Sequence, residues 1–317
     1  MSDILISPAQ LQDALAREPW LIFDVRHDLA DHEAGRRAFV QGHIPGAIYL
    51  DHEKQLSAPR TGRNGRHPLP RLDDLTALMH ALGLRPDSRV VVYDASGGMF
   101  AAHVWWMLRW MGHEHVAVLD GGWQAWLDAG GQVEAGKTQD GPYASMPDST
   151  SSQAGHAAFH GTGDKTPEGA QSADAAGGEP NQRPIESMPT VDANTVKANL
   201  NDPVFTIVDA RAPERFRGEV EPMDPVAGHI PGALNRPNSQ NLQASGRFKP
   251  SAQLREEFTA LLGGRSPEQV VHQCGSGITA CHNLFAMELA GLSGSALYPG
   301  SWSEWCSDPA RPVATGD

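Results

Sequence analysis

The sequence lacks both a long apolar stretch and an excess of basic residues. Its longest apolar run, 101–111, is interrupted by His103 and Arg109 and is far shorter than the roughly 20 residues that cross a bilayer. Against 25 Lys and Arg stand 38 Asp and Glu, a formal net charge of -13. This balance argues against a nucleic-acid or membrane partner, because no basic surface is available to neutralise phosphates. We expect a buried helix at 101–111, and local arginines around any small anionic ligand.

Cysteine is also scarce. The 317 residues include only three, Cys274, Cys281 and Cys306, an odd number that disfavours a disulfide framework and fits a reducing compartment. Residues 1–5 lack the features of a secretory signal, so we expect a cytoplasmic protein with at least one free thiol. The cysteines and histidines show no zinc-like spacing, and we expect neither a metal nor an organic cofactor.

The two halves of the chain repeat the same segments in the same order. Such duplication predicts two copies of one domain, and the length leaves room for two cores. The repeated segments are an Asp-Val-Arg or Asp-Ala-Arg triplet at 24–26 and 209–211, the hexapeptide Gly-His-Ile-Pro-Gly-Ala at 42–47 and 228–233, and a Trp-rich segment at 120–126 and 299–305.

Each half alternates short β-rich runs with amphipathic stretches. This pattern is typical of an α/β fold with a mainly parallel sheet flanked by helices. Helical spacing joins Leu75 to Leu82 before Gly83, and Leu254 to Leu262 before Gly263. Strands are predicted at 20–25, 89–93, 204–208 and 269–272.

The sequence therefore predicts two tandem domains, at 1–134 and 188–317. The segment between them, 135–187, is rich in Gly, Ala, Ser, Pro and Asp and has few large apolar residues. It cannot bury enough surface to offset the entropy of ordering it, so we interpret it as a linker.

One loop carries the features of a reactive site. The predicted strand 269–272 leads through Cys274, Gly275 and Gly277 into a helical stretch at 281–290. The glycines allow backbone N–H groups to turn inward around one atom, and the helix N-terminus adds positive potential. Both effects favour a thiolate over a thiol, so we expect Cys274 to be a nucleophile and the other two cysteines to be structural.

Together, these motifs and the loop Cys-Gly-Ser-Gly-Ile-Thr-Ala at 274–280 resemble the tandem rhodanese family. The resemblance covers 5–134 and 190–315. It implies that the C-terminal domain holds the active cysteine and that the N-terminal domain is inactive. In the first half we place Ala95, in the run Tyr-Asp-Ala-Ser, at the position of Cys274.

The neutral loop after Cys274 resembles that of the mercaptopyruvate sulfurtransferases within this family. Thiosulfate-specific rhodaneses typically have basic residues there. The resemblance implies that Ser276 assists proton transfer together with His67 and an acidic residue. Asp51 is the candidate acid, and Glu53 is the alternative.

The resemblance also assigns the donor carboxylate to Arg215, whose guanidinium offers a bidentate fork. A second arginine of the family pattern would fall near Met223 and is missing. We expect Arg60, Arg63 or Arg66, on the loop before His67, to supply that charge. Arg211 is interpreted as structural. The other predicted substrate contacts are Gly275, Gly277, Ile278 and Thr279.

These assignments predict a double-displacement sulfurtransferase. Cys274 takes sulfur from 3-mercaptopyruvate, a small anionic donor, and passes it from a persulfide to cyanide or to a thiol, either a small thiol or a thioredoxin-like protein. The alternatives are a thiosulfate:cyanide sulfurtransferase and a non-catalytic rhodanese-like binding module. A phosphatase is disfavoured because no arginine closes the loop around a phosphate.

Overall fold

The computed structural model describes residues 4–136 and 188–317 of the chain. The predicted linker over 135–187 lies outside the described residues, apart from Ala135 and Gly136. The described residues form two α/β units, one on each side of that gap.

The first unit is built on a five-stranded sheet in which every strand pair is parallel, in the order β1-β5-β4-β2-β3. Its elements, in chain order, are β1 (Leu5–Ile6), α1 (Pro8–Leu15), β2 (Leu21–Asp24), α2 (Ala34–Gln41), β3 (Ile48–Tyr49), α3 (Leu72–Ala81), β4 (Val90–Tyr93), α4 (Met99–Trp110), β5 (Val116–Leu119) and α5 (Gly122–Asp128).

The second unit has a four-stranded parallel sheet in the order β7-β6-β8-β9. The predicted fold class, two tandem α/β domains with mainly parallel sheets, is confirmed. The elements are α6 (Ala193–Asn199), β6 (Thr206–Asp209), α7 (Pro213–Phe216), β7 (Leu234–Asn235), α8 (Ser251–Leu262), β8 (Val270–Gln273), α9 (Ile278–Leu289), β9 (Ala296–Leu297) and α10 (Ser301–Trp305), with 3-10 turns at Asn238–Asn241 and Pro267–Gln269.

Two helices end where glycine allows the chain to turn. Helix α3 ends at Ala81, and Gly83 follows with a φ of 94°. Helix α8 ends at Leu262, and Gly263 has a φ of 58°. Glycine takes this left-handed conformation without the Cβ clash that other residues meet, so both helices end where the sequence predicts.

The repeated segments meet in space. Arg26 donates hydrogen bonds to the Asp24 carboxylate and, over 2.6 Å, to the carbonyl oxygen of Gly42. Its guanidinium carbon lies 4.6 Å from the ring centroid of Trp123. The buried Arg26 guanidinium thus contacts the end of β2, the hexapeptide and the Trp-rich segment at once. The second half repeats these contacts with Arg211, Asp209, Gly228 and Trp302.

The two domains pack through their long apolar helices. Residues 100–108 of α4 are all buried, which confirms the predicted buried helix. The rings of Trp105 in α4 and Phe285 in α9 meet edge to face, with centroids 4.9 Å apart. Among the described residues, no helix is both long and apolar enough to cross a membrane.

This packing generates the first prediction. Phe285 is fully buried, and we expect Phe285→Ala to lower the free energy of unfolding by about 3–5 kcal/mol, because it removes apolar area and leaves a cavity. Urea denaturation monitored by tryptophan fluorescence measures the loss. Leu127→Ala, at a residue 39% exposed, is the control and should change stability by less than about 1 kcal/mol. Equal losses in the two variants would contradict the prediction.

Candidate active site

The loop between β8 and α9 surrounds one sulfur atom. The backbone N–H groups of Gly277 and Ser276 point at Sγ of Cys274, with nitrogen to sulfur distances of 3.1 and 3.5 Å. Helix α9 begins at the next residue, so its N-terminus also faces the sulfur. The structure therefore has the predicted arrangement, in which backbone dipoles favour a negatively charged sulfur.

Gly277 is required for this arrangement. Its φ is 91°, and a Cβ atom there would lie 2.6 Å from the carbonyl oxygen of Pro299. Any side chain would therefore strain the backbone and collide with a neighbouring segment.

The Trp-rich segment holds the Cys274 loop in place through hydrogen bonds. The N–H of Cys274 donates to Oγ of Ser301 over 3.1 Å, and the N–H of Trp302 donates to the carbonyl oxygen of Cys274 over 3.0 Å. Ser301 has a φ of 53°, the only positive φ of a non-glycine among residues 4–136 and 188–317. Backbone strain is thus stored directly beside the thiol, a feature that no sequence motif indicated.

A hydrogen-bonded chain crosses from the N-terminal domain to the loop. Nδ1 of His67 lies 2.8 Å from Oγ of Ser276, and Nε2 of His67 lies 2.8 Å from Oε1 of Glu53. Burial raises the pKa of Glu53, but the hydrogen bond and charge of His67, with the charge of Arg60, outweigh it and hold the pKa at about 2. Glu53 is thus ionised and accepts the Nε2 proton of His67; when the imidazole is neutral, Nδ1 is left to accept the Ser276 hydroxyl proton.

The acidic partner of His67 is therefore Glu53, and the choice of Asp51 is corrected. Oδ1 of Asp51 accepts the backbone N–H groups of Glu53 and Lys54 over 2.9 and 3.1 Å. Asp51 shapes the turn that presents Glu53, because a short acidic side chain satisfies backbone donors two and three residues further on.

Arg66 and Arg215 both reach the mouth of the loop. A Cβ atom placed on Gly275 would lie 2.7 Å from Nη2 of Arg66 and 3.5 Å from Nη1 of Arg215. Arg66 forms an ion pair with Asp224, and Nη2 of Arg215 lies 3.4 Å from the same carboxylate. The structure therefore brings two of the predicted arginines together. Arg60 and Arg63 differ: Arg60 pairs with Glu53 over 2.6 Å, and Arg63 is exposed.

Two carboxylates beside these arginines were not found from the sequence. Glu221 and Asp224 are both buried, with side chains 3% and 4% exposed. Oε1 of Glu221 accepts from Nη2 of Arg215 over 2.7 Å. Burial raises the pKa of Glu221, but the hydrogen bond from Arg215 outweighs it and the net shift is downward. The arginine pair is thus largely neutralised before any ligand enters.

The alignment of Ala95 with Cys274 is wrong by one residue. Tyr93 pairs with Asp24 in the first sheet as Gln273 pairs with Asp209 in the second. Asp94, the next residue, is therefore the equivalent of Cys274. The loop from Asp94 to the left-handed Gly98 is one residue longer than its counterpart, which shifted the sequence match.

The Asp94 carboxylate fills the first domain's own cradle of N–H groups. Oδ1 accepts from Ser96 and Gly98 over 2.8 and 2.9 Å, and Oδ2 accepts from Phe100 and Ala101 over 2.8 and 3.0 Å. A carboxylate satisfies these donors but does not carry sulfur, so this domain lacks a thiol nucleophile at the matching position.

The remaining thiols match their predicted structural role. Burial raises the pKa of Cys281 well above its usual value and raises that of Cys306 to about 11. Both are therefore protonated at neutral pH, and a protonated thiol is a poor nucleophile.

Comparison with known proteins gives the same pattern of two repeated domains. The family described as Rhodanese-like domain matches residues 7–129 and 192–308. A Pseudomonas aeruginosa protein described as "Probable 3-mercaptopyruvate sulfurtransferase" is 44% identical over 317 residues, 99% of this chain and 98% of the relative. A Mycobacterium tuberculosis protein described as a candidate thiosulfate sulfurtransferase is 37% identical, over 99% of this chain and 97% of its own length.

A solved structure is similar over nearly the whole chain. The 3-mercaptopyruvate sulfurtransferase from Leishmania major superposes with a TM-score of 0.74 at 25% identity, covering 98% of this chain and 76% of that one.

The loop geometry generates the second prediction. We expect Gly277→Ala to slow alkylation of Cys274 by iodoacetamide at neutral pH by about tenfold or more, because the displaced N–H groups no longer favour the thiolate. Mass spectrometry of the labelled peptide measures the rate. Gly130→Ala is the control, since Gly130 has a φ of 69° but open space around it. Unchanged alkylation in Gly277→Ala would show that the cradle does not activate the thiol.

Proposed function

This chain belongs to the rhodanese-like family and is a sulfurtransferase, and we propose that it carries sulfur as a persulfide on Cys274. The observation that supports the carrier most strongly is the convergence of two backbone N–H groups on Sγ. The same donors suit a persulfide, whose negative charge needs the same stabilisation. We further propose that the domains extend over 1–134 and 188–317, since every described helix and strand lies within these limits.

We propose 3-mercaptopyruvate as the sulfur donor. The Cys274 thiolate attacks the donor sulfur, and the carbon–sulfur bond breaks with its electron pair going to carbon. The proton that leaves the donor thiol must end on that carbon to give pyruvate. Ser276 and His67, joined by a 2.8 Å hydrogen bond beside the thiol, are suited to carry it, with Glu53 orienting the imidazole.

The charges at the mouth of the loop support the same donor. Nη2 of Arg66 and Nη1 of Arg215 face Gly275, where a carboxylate can bind. The carboxylates of Asp224 and Glu221 offset both positive charges. A donor with one negative charge fits this balance better than the thiosulfate dianion, which requires additional cations.

In the second half of the reaction an acceptor attacks the outer sulfur of the persulfide. The sulfur–sulfur bond breaks, and Cys274 leaves as the thiolate that begins the next cycle. We propose a small thiol or a thioredoxin-like protein as the acceptor, with cyanide as a laboratory substitute. We also propose a cytoplasmic location, because all three cysteines are free, as expected in a reducing compartment.

The third prediction tests the carrier and the donor together. Protein treated with 3-mercaptopyruvate is expected to gain the mass of one sulfur atom, and Cys274→Ser to gain none. With cyanide as acceptor, kcat/KM for 3-mercaptopyruvate should exceed that for thiosulfate by at least about tenfold. The opposite order would favour the thiosulfate alternative, which the M. tuberculosis relative represents. No turnover with either donor would favour the non-catalytic binding module.

The fourth prediction concerns the proton relay. We expect Glu53→Gln to lower kcat with 3-mercaptopyruvate by about 100-fold, a usual size for loss of acid–base assistance. With thiosulfate the loss should be small, because the sulfite leaving group needs no proton on carbon. Asp51→Asn is the matched control, since it alters the neighbouring acid without touching His67. Steady-state kinetics, corrected for the folded fraction, would reject Glu53 as the partner if the two variants lost equal activity.

A further inference from the structure

Folding brings two more histidines to the catalytic carboxylate. His27 follows β2, His32 precedes α2, and Glu53 follows β3, so three separate segments contribute. One nitrogen from each histidine and one oxygen of Glu53 all lie within 4.8 Å of one another. Nδ1 of His32 is 3.6 Å from Oε1 of Glu53, and the rings of His27 and His32 are stacked with centroids 5.5 Å apart.

His27 is held in this place without a partner for either ring nitrogen. It is 8% exposed, and neither nitrogen has a hydrogen bond within the described part of the chain. A buried polar group left in this state is unfavourable, and a bound ion that takes the lone pair of one nitrogen would relieve this.

We propose that His27, His32 and Glu53 form a binding site for a divalent transition-metal ion of the zinc class. Two imidazole nitrogens and one carboxylate oxygen, with one position left open, are a typical ligand set for zinc. Nitrogen ligands disfavour magnesium and calcium, which prefer oxygen. Tetrahedral zinc places its ligand atoms about 3.4 Å apart, close to the separation of His32 and Glu53. Because the His32 side chain is 50% exposed, it is able to rotate and close the remaining distance.

The site shares an atom with the proton relay. Oε1 of Glu53 accepts the hydrogen bond from His67, while Oε2 is held by Arg60 over 2.6 Å. A metal ion on Oε1 competes with His67 for the same lone pairs and releases the imidazole from its orienting partner. A metal ion bound at this site therefore inhibits the proposed reaction. This consequence rests on the proposed function, whereas the binding site itself does not.

Binding is tested without turnover, in the Cys274→Ser chain, where no thiolate competes for metal. Calorimetry with Zn²⁺ is expected to show one ion per chain, and Co²⁺ should give the visible absorption of a low-symmetry site. Adding His32→Ala should weaken Zn²⁺ binding by about tenfold or more. Adding His80→Ala, at an exposed histidine on α3, should leave it unchanged. Absence of saturable binding, or equal affinity with and without His32, would overturn the proposal.

Inhibition is then measured in the chain with Cys274 intact, each variant being compared with its own rate without Zn²⁺. Turnover of 3-mercaptopyruvate should fall when zinc is added and recover with EDTA. Zinc should inhibit the His32→Ala variant less than the His80→Ala variant. Equal sensitivity would place inhibition elsewhere, for example at the thiolate, and overturn the regulatory consequence. A chain without 3-mercaptopyruvate activity would instead overturn the proposed function, and calorimetry would still decide the metal site.

Discussion

The structure depends on a cradle of backbone N–H groups at the end of a central parallel strand, whose donors need an acceptor. Both domains build it in the same place, and each fills it differently. In the C-terminal domain the N–H groups point at the sulfur of Cys274, and in the N-terminal domain at the carboxylate of Asp94. The donors are thus satisfied in both halves, by a sulfur atom in one and by two carboxylate oxygens in the other.

In the proposed function the N-terminal domain contributes to the chemistry, because it supplies His67 and Glu53 across the interface. Their contact with Ser276 depends on the apolar packing of α4 against α9, which fixes the distance between the two halves to within a hydrogen bond. A proton relay tolerates little error in distance, so a large rigid interface suits it better than a mobile one. The N-terminal domain thus serves as a scaffold that positions side chains beside the C-terminal domain.

The sequence was sufficient for the fold and for the shape of the loop around Cys274, because the repeats and the glycines act locally. It was insufficient wherever side chains from distant segments meet. Asp51 and Glu53 are two residues apart, and only the path of the turn decides which one reaches His67. The extra residue in the loop after Asp94 could be recognised only from the strand register. His27 and His32 are separated by four residues, but the third member of their cluster, Glu53, comes from another segment, so the sequence alone did not reveal the cluster.

The longer loop of the N-terminal domain has a consequence for evolution. A cysteine in place of Asp94 would enter a cradle built for two carboxylate oxygens, and His282, which reaches this loop from the other half, lies 3.0 Å from the carbonyl oxygen of Gly97. A thiol cradle like that of Cys274 would thus require both a substitution and a loop shorter by one residue. Two independent changes are harder to acquire than one, so the duplicated fold favours a single sulfur carrier under the proposed function.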